Sequence, residues 1–132
     1  MSMSTLTIHV RPKQNAAGQN TVTLELEGNL DNFTVASLEA QLQPVLAAKP
    51  QQLIFDLAAL KFITSAGIKL FLIAAKQQKQ HGDQIAFVHL QPQIKDVFSI
   101  MGSIADMRIF KDQAELDTYL LTRQHTLQQR SQ

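Results

Sequence analysis

The sequence contains no cysteine and no tryptophan. Without thiols it has no disulfides, no cysteine nucleophile and no thiolate-ligated metal. A dominant charge is missing too: 12 Lys and Arg stand against 11 Asp and Glu, a net +1. That balance gives no electrostatic footprint for nucleic acid or an anionic membrane, and no Lys/Arg cluster interleaves with aromatics. The longest apolar stretch, around Ile68 to Ala75, is far too short to insert into a bilayer. The first residues carry neither a basic region nor a long apolar core, so no signal peptide is read and a cytoplasmic location is expected.

Catalytic spacings are also absent. The histidines His9, His81, His89 and His125 form no HxH or HExxH pair, and there is no GxSxG elbow, Walker A loop or GxGxxG. Asp31, Asp56 and Asp96 are scattered, while Glu25 and Glu27 share what alternation makes the solvated face of a strand. Nothing assembles a nucleophile, a base and an orienting group. The expectation is a protein that is not an enzyme and holds no metal or cofactor.

What is present is an ordinary globular composition, 45% hydrophobic over 132 residues, enough for one domain with a real core. Thr5 to Val10 alternates, with Leu6, Ile8 and Val10 on one face, and Thr21 to Glu27 alternates with Val22, Leu24 and Leu26 inward. Between them Arg11 to Asn20 reads as a loop or wide hairpin, so the two strands form an antiparallel pair. Gly28 to Asn32 breaks the second strand, and Asp31 or Asn32 caps a helix whose apolar side runs from Phe33 to Leu46. Pro44 is expected to kink that helix or end its first part near Gln43. Leu53 to Leu57, interrupted by Asp56 alone, reads as a buried strand, with Ala58 to Ile63 as its connection to the next element.

A polar elbow, Thr64-Ser65, then opens a helix that is apolar from Ala66 to Ala75 except for Lys69 and stops at Gly82. A strand over Gln84–Leu90, a helix from Pro92 to Gly102, a short strand Met107–Phe110 and a last helix from Asp112 complete the chain. The aromatics, Phe33 and Phe62 included, fall in these elements and read as core. The fold class is α/β in the order ββαβαβαβα: a small mixed sheet, with an N-terminal antiparallel hairpin and then parallel strands, covered by about four helices. Residues 1–122 form a single domain, and 123–132 a polar, Gln-rich tail that frays.

The elbow organises the rest. Hydroxyls directly before an apolar run are a helix start, and a helix N-terminus carries partial positive charge that stabilises an anion. Pattern alone favours a simple cap. With no rival catalytic set, a hydroxyl at this point beside apolar surface also suits binding controlled by phosphorylation.

Three segments carry a family resemblance across nearly the whole chain. Gly28-Asn-Leu-Asp31 resembles a G-x-L-D turn, Phe55-Asp-Leu with Phe62-Ile-Thr-Ser-Ala-Gly-Ile resembles D-L-S … D-S-S-G-L, and Ile94 to Gly102 resembles a helix closed by glycine. Their order and spacing resemble the STAS domain family, the anti-sigma factor antagonists of bacterial partner switching. The resemblance implies that a serine at the start of the helix after the third strand is phosphorylated by a switch kinase of the GHKL type, which doubles as the anti-sigma factor. A PP2C-type phosphatase reverses the mark. It places the acceptor at Ser65, with Thr64 second, because Ala66 stands where the second serine of the motif would be. It implies a partner surface of Asp31, Asn32, Thr64, Ser65, Gly67, Ile68 and Phe71. The alternative is a constitutive subunit of a larger assembly, such as a lipid-transport ABC system, docked through the same helix start.

Overall fold

The computed structural model describes residues 5–14, 20–81, 85–101, 107–110, 114, 115 and 118. Strands β1 (Leu6–Gln14), β2 (Asn20–Leu30), β3 (Gln52–Ile63), β4 (Ile85–Val88) and β5 (Met107–Phe110) form one sheet in that same spatial order. β1 and β2 are antiparallel, and every later pairing is parallel. Helices α1 (Val35–Ala47), α2 (Ser65–His81) and α3 (Pro92–Met101) are the crossovers between successive parallel strands. Because the strand order never reverses, right-handed crossovers put all three helices on one face. The contacts of α2 with both α1 and α3 agree with that arrangement. The mixed sheet with its hairpin edge is the expected architecture. The expected last helix falls largely outside the described residues, of which Ala114, Glu115 and Thr118 are helical. The 123–132 tail lies wholly outside them. Among the described residues no helix is long and apolar enough to cross a membrane.

The core lies between the sheet and the helices. Leu24, Leu26 and Leu30 of β2, Leu53, Phe55 and Leu57 of β3, and Ile85 and Phe87 of β4 meet Leu38, Leu42, Ile68, Phe71, Ala74, Ile94 and Phe98 from the helices. At its centre Phe55, Phe71, Phe87 and Phe98 pack ring against ring, with centroids 4.8 Å to 6.1 Å apart. Tilted, edge-on and offset contacts of this kind add to the burial of the rings.

The structure departs from the sequence pattern at several places, each with a local cause. β1 continues through Arg11–Gln14 and β2 through Gly28–Leu30, so the first four residues of the predicted loop and the first three of the predicted break are strand, while residues 15–19 of that loop lie outside the described residues. Gly28 permits the second, because it holds φ +110° where a side chain would collide with the Thr5 carbonyl. β3 runs to Ile63 rather than stopping at Leu57. Its register against β2 shifts between Glu25 and Glu27 and again between Gly28 and Asn29, each time leaving one extra residue on β3. Such bulges destroy the alternation that would have marked a strand.

Side chains catch backbone groups along this irregular stretch. The Asp56 carboxylate accepts the Ala58 amide at 3.0 Å. Gln91 Nε2 donates to the Ala58 carbonyl at 2.7 Å and Gln93 Nε2 to that of Lys61 at 3.2 Å. Helix α1 passes through Pro44 to Ala47, and Phe33 lies before it, outside the core.

Candidate functional site

Three segments converge at the end of the sheet where β2 and β3 stop. The first is the turn that links β2 to α1. Asp31 is buried, and its Oδ1 accepts the amides of Phe33 at 2.9 Å and Thr34 at 3.1 Å. The hydroxyl of Thr34, also buried, donates to the Asn29 carbonyl at 2.8 Å and accepts the Asp31 amide at 3.0 Å. An aspartate that closes a turn on its own backbone is a local device that requires no partner. The Asp31 carbonyl then accepts the amide of Val35, which feeds the chain into α1. The N-cap of α1 is Thr34, with no side-chain cap bond, so the expected capping by Asp31 or Asn32 is replaced by this turn.

The second segment is the elbow. The Thr64 amide donates to the Leu30 carbonyl at 3.0 Å, which carries the β2–β3 ladder one step past its end. The Thr64 carbonyl accepts the Ile68 amide at 3.1 Å and so begins α2. Its hydroxyl, rather than capping the helix, donates to Asn32 Oδ1 at 3.3 Å and tethers the elbow to the turn. Ser65 is the first residue of α2, is exposed, and its hydroxyl makes no hydrogen bond among the described residues. An exposed hydroxyl at a helix N-terminus is open to solvent and to a modifying enzyme, and added negative charge is tolerated there.

The third segment is the first turns of α2. The structure separates the expected surface residues into two groups. Asn32, Thr64 and Ser65 reach the surface together. Ile68 and Phe71 are fully buried in the core, Gly67 is buried, and Asp31 is spent on its turn. These four are buried and lie beneath the surface that Asn32, Thr64 and Ser65 present.

Gly67 is present for space, since a Cβ there would lie within 2.8 Å to 2.9 Å of Leu30 and Ile63 side-chain atoms. The exposed apolar residue of α2 is Ile73 instead. A depression of about 490 Å³ at the helix start is lined by Asn32, Val35, Ser65, Ala66, Lys69 and Leu72.

Two features depart from what the sequence leads one to expect. Phe33 and Phe62, expected in the core, are exposed near this end of the sheet, Phe33 by 87%. The signal for Phe33 was available, because it sits between a turn-forming aspartate and the helix it introduces. Away from the helix start, His89 Nδ1 lies 3.1 Å from Asp56 Oδ1. His89 holds a left-handed φ of 61°, which histidine tolerates better than most residues. A small hollow beside Asp56 is lined by His9, Glu25 and Glu27 as well, with Glu25 paired to Arg11 at 2.7 Å. Among the described residues no group of histidine and carboxylate side chains is placed to hold a metal ion.

Comparison with known proteins bears on the family and the fold. A family model described as STAS domain matches residues 13–116. BtrV of Bordetella bronchiseptica, named "putative anti-sigma factor antagonist", is 30% identical over 80 residues, covering 61% of this chain and 69% of BtrV. The structure of an anti-sigma factor antagonist from Mycobacterium paratuberculosis superposes with a TM-score of 0.75 at 21% identity, covering 87% of this chain and 93% of that one. The antagonist SpoIIAA in its unphosphorylated form gives 0.67 at 18% identity, covering 86% and 96%.

Proposed function

This chain belongs to the STAS domain family, and from that membership we propose that it is an anti-sigma factor antagonist switched by phosphorylation of Ser65. In this reading the unmodified domain binds an anti-sigma factor that is also a serine kinase of the GHKL type. The kinase modifies Ser65, the complex dissociates, and a PP2C-type phosphatase restores binding. The observation that carries the reading is the placement of Ser65: exposed, unpartnered among the described residues, at the first position of α2. The likeness to BtrV, itself named for antagonism of an anti-sigma factor, supports the partner class.

The chemistry is that of a charge added at an interface. A phosphoserine brings about two negative charges, tolerated by the helix end but poorly desolvated against a partner. Thr64 is the weaker acceptor, because it is half-buried and its hydroxyl is engaged with Asn32. Incubation with the kinase and ATP followed by peptide mass spectrometry tests the site, and a Thr64–Ser65 peptide that stays unmodified removes the switch. Ser65→Asp is expected to weaken binding of the anti-sigma factor, and Ser65→Ala to preserve it and abolish release by ATP.

A further inference from the structure

We propose that Phe33 is the apolar anchor of this interface, seated in a pocket of the anti-sigma factor whose rim presents a carboxylate to Lys69. The inference rests on the function proposed above and specifies the chemistry of the partner surface. A single exposed apolar side chain is ordinary on a protein surface. Phe33 differs in two respects.

First, its backbone is fixed. Its own amide and that of Thr34 are held by Asp31, and Thr34 ties the same turn back to Asn29. The residues around the ring spend their polar groups on holding the turn, while the ring stands 87% exposed. An aromatic side chain with two torsions, carried on a fixed backbone, loses little entropy on docking, and rings of this kind dominate interface energetics when a pocket takes them.

Second, the turn is continuous with the switch. Asn32, the neighbour of Phe33, is hydrogen-bonded to Thr64 and lines the same depression as Ser65 and Lys69. Lys69 is the only charged residue of that lining, is exposed, and makes no ion pair among the described residues. A partner complementary to this surface meets Phe33 with an apolar socket and Lys69 with an acidic group. Ser65 and Lys69 are one helical turn apart on the same face. A phosphate on Ser65 therefore competes with the partner's carboxylate for Lys69 and repels it, so the partner's acidic rim and the phosphate exclude each other.

The test is calorimetric titration of the full chain into the purified anti-sigma factor of the same organism at 50 and 300 mM salt, with sedimentation of each variant alone. Phe33→Ala is expected to weaken binding about 30-fold or more without shifting the urea midpoint of the free domain. Lys69→Gln is expected to weaken binding several-fold at low salt and to flatten the salt dependence. Wild-type affinity with Phe33→Ala overturns the anchor while leaving the antagonist reading in place. Undiminished salt dependence with Lys69→Gln overturns the acidic rim. If the wild type self-associates and Phe33→Ala is monomeric with full affinity for the anti-sigma factor, the ring belongs to a second copy and the inference fails. If the wild type does not bind the anti-sigma factor at all, the antagonist reading fails and the inference with it.

Discussion

Gly67→Ala is the substitution in which local propensity and tertiary packing predict opposite signs. Within a helix, alanine is better than glycine by about 0.8–1.0 kcal/mol, so a helix-only argument predicts a more stable protein. The packing argument predicts a loss. A Cβ at position 67 would stand 2.8 Å from Leu30 Cγ and 2.9 Å from Leu30 Cδ2 and Ile63 Cγ1. Comfortable carbon contacts are about 3.5–4.0 Å. Relief would require Leu30 or Ile63 to move, but they are 0% and 4% exposed and packed into the core cluster. Overpacking a closed site of this sort costs about 1–3 kcal/mol. The expected net change is a destabilisation of about 1 kcal/mol, read as a lower urea midpoint with an unchanged slope.

The double substitution makes the cause visible. Leu30→Ala alone is expected to cost about 2–5 kcal/mol, but it opens the space that a methyl group at position 67 needs. In that background Gly67→Ala becomes stabilising, so the two changes couple with an interaction energy above about 1 kcal/mol. A gain in stability from Gly67→Ala alone, or additive behaviour of the pair, would refute the account of why glycine stands there.

Other outcomes rest on the same contacts. Asp31→Ala strips the acceptor from two turn amides and is expected to lower stability by about 1–3 kcal/mol in urea unfolding. Because it also frees the Phe33 turn, it should weaken anti-sigma factor binding although Asp31 itself is buried. Phe71→Ala empties the centre of the ring cluster and should cost about 3–5 kcal/mol in the same assay. Asn32→Ala removes an exposed hydrogen bond and should change stability by less than about 0.5 kcal/mol, so any large loss of binding in that variant reports on the surface alone. His89→Val combines a β-branched residue with a left-handed backbone and loses the Asp56 contact, and should destabilise by about 1–3 kcal/mol, whereas His89→Asn should cost less.

The order and kind of the elements were legible because their signals are local: alternation in β2, the apolar run of β3, and the hydroxyl pair that opens α2. The bulges in β3 were not, because a register shift is set by the neighbouring strand and leaves in its own sequence only an irregular run, Ala58 to Ile63. Ser65 is legible as a helix start from its hydroxyl and from the apolar run that begins at Ala66. The expected partner residues divide because sequence spacing cannot separate the buried face of α2 from the exposed one when nearly every position is apolar. Ile68 and Phe71 go to the core and Ile73 to the surface. Phe33 escapes the pattern for a related reason, since one apolar residue before a helix resembles the helix's own stripe. The turn bonds of Asp31 move it outside.

The match between spatial and chain order of the strands also bears on how the molecule is made. Every strand after the first pairs with the one synthesised just before it. No strand has to be threaded between two that are already joined, and each βα unit can dock on an edge the ribosome has already released. A nascent chain emerging from its N-terminus can therefore assemble the sheet by accretion, burying each new apolar strand soon after it appears. Among the described residues the last strand to be added is β5, so a chain stalled before it would expose the edge of β4 and leave the β1–β2 hairpin, and the turn that carries Phe33, already built.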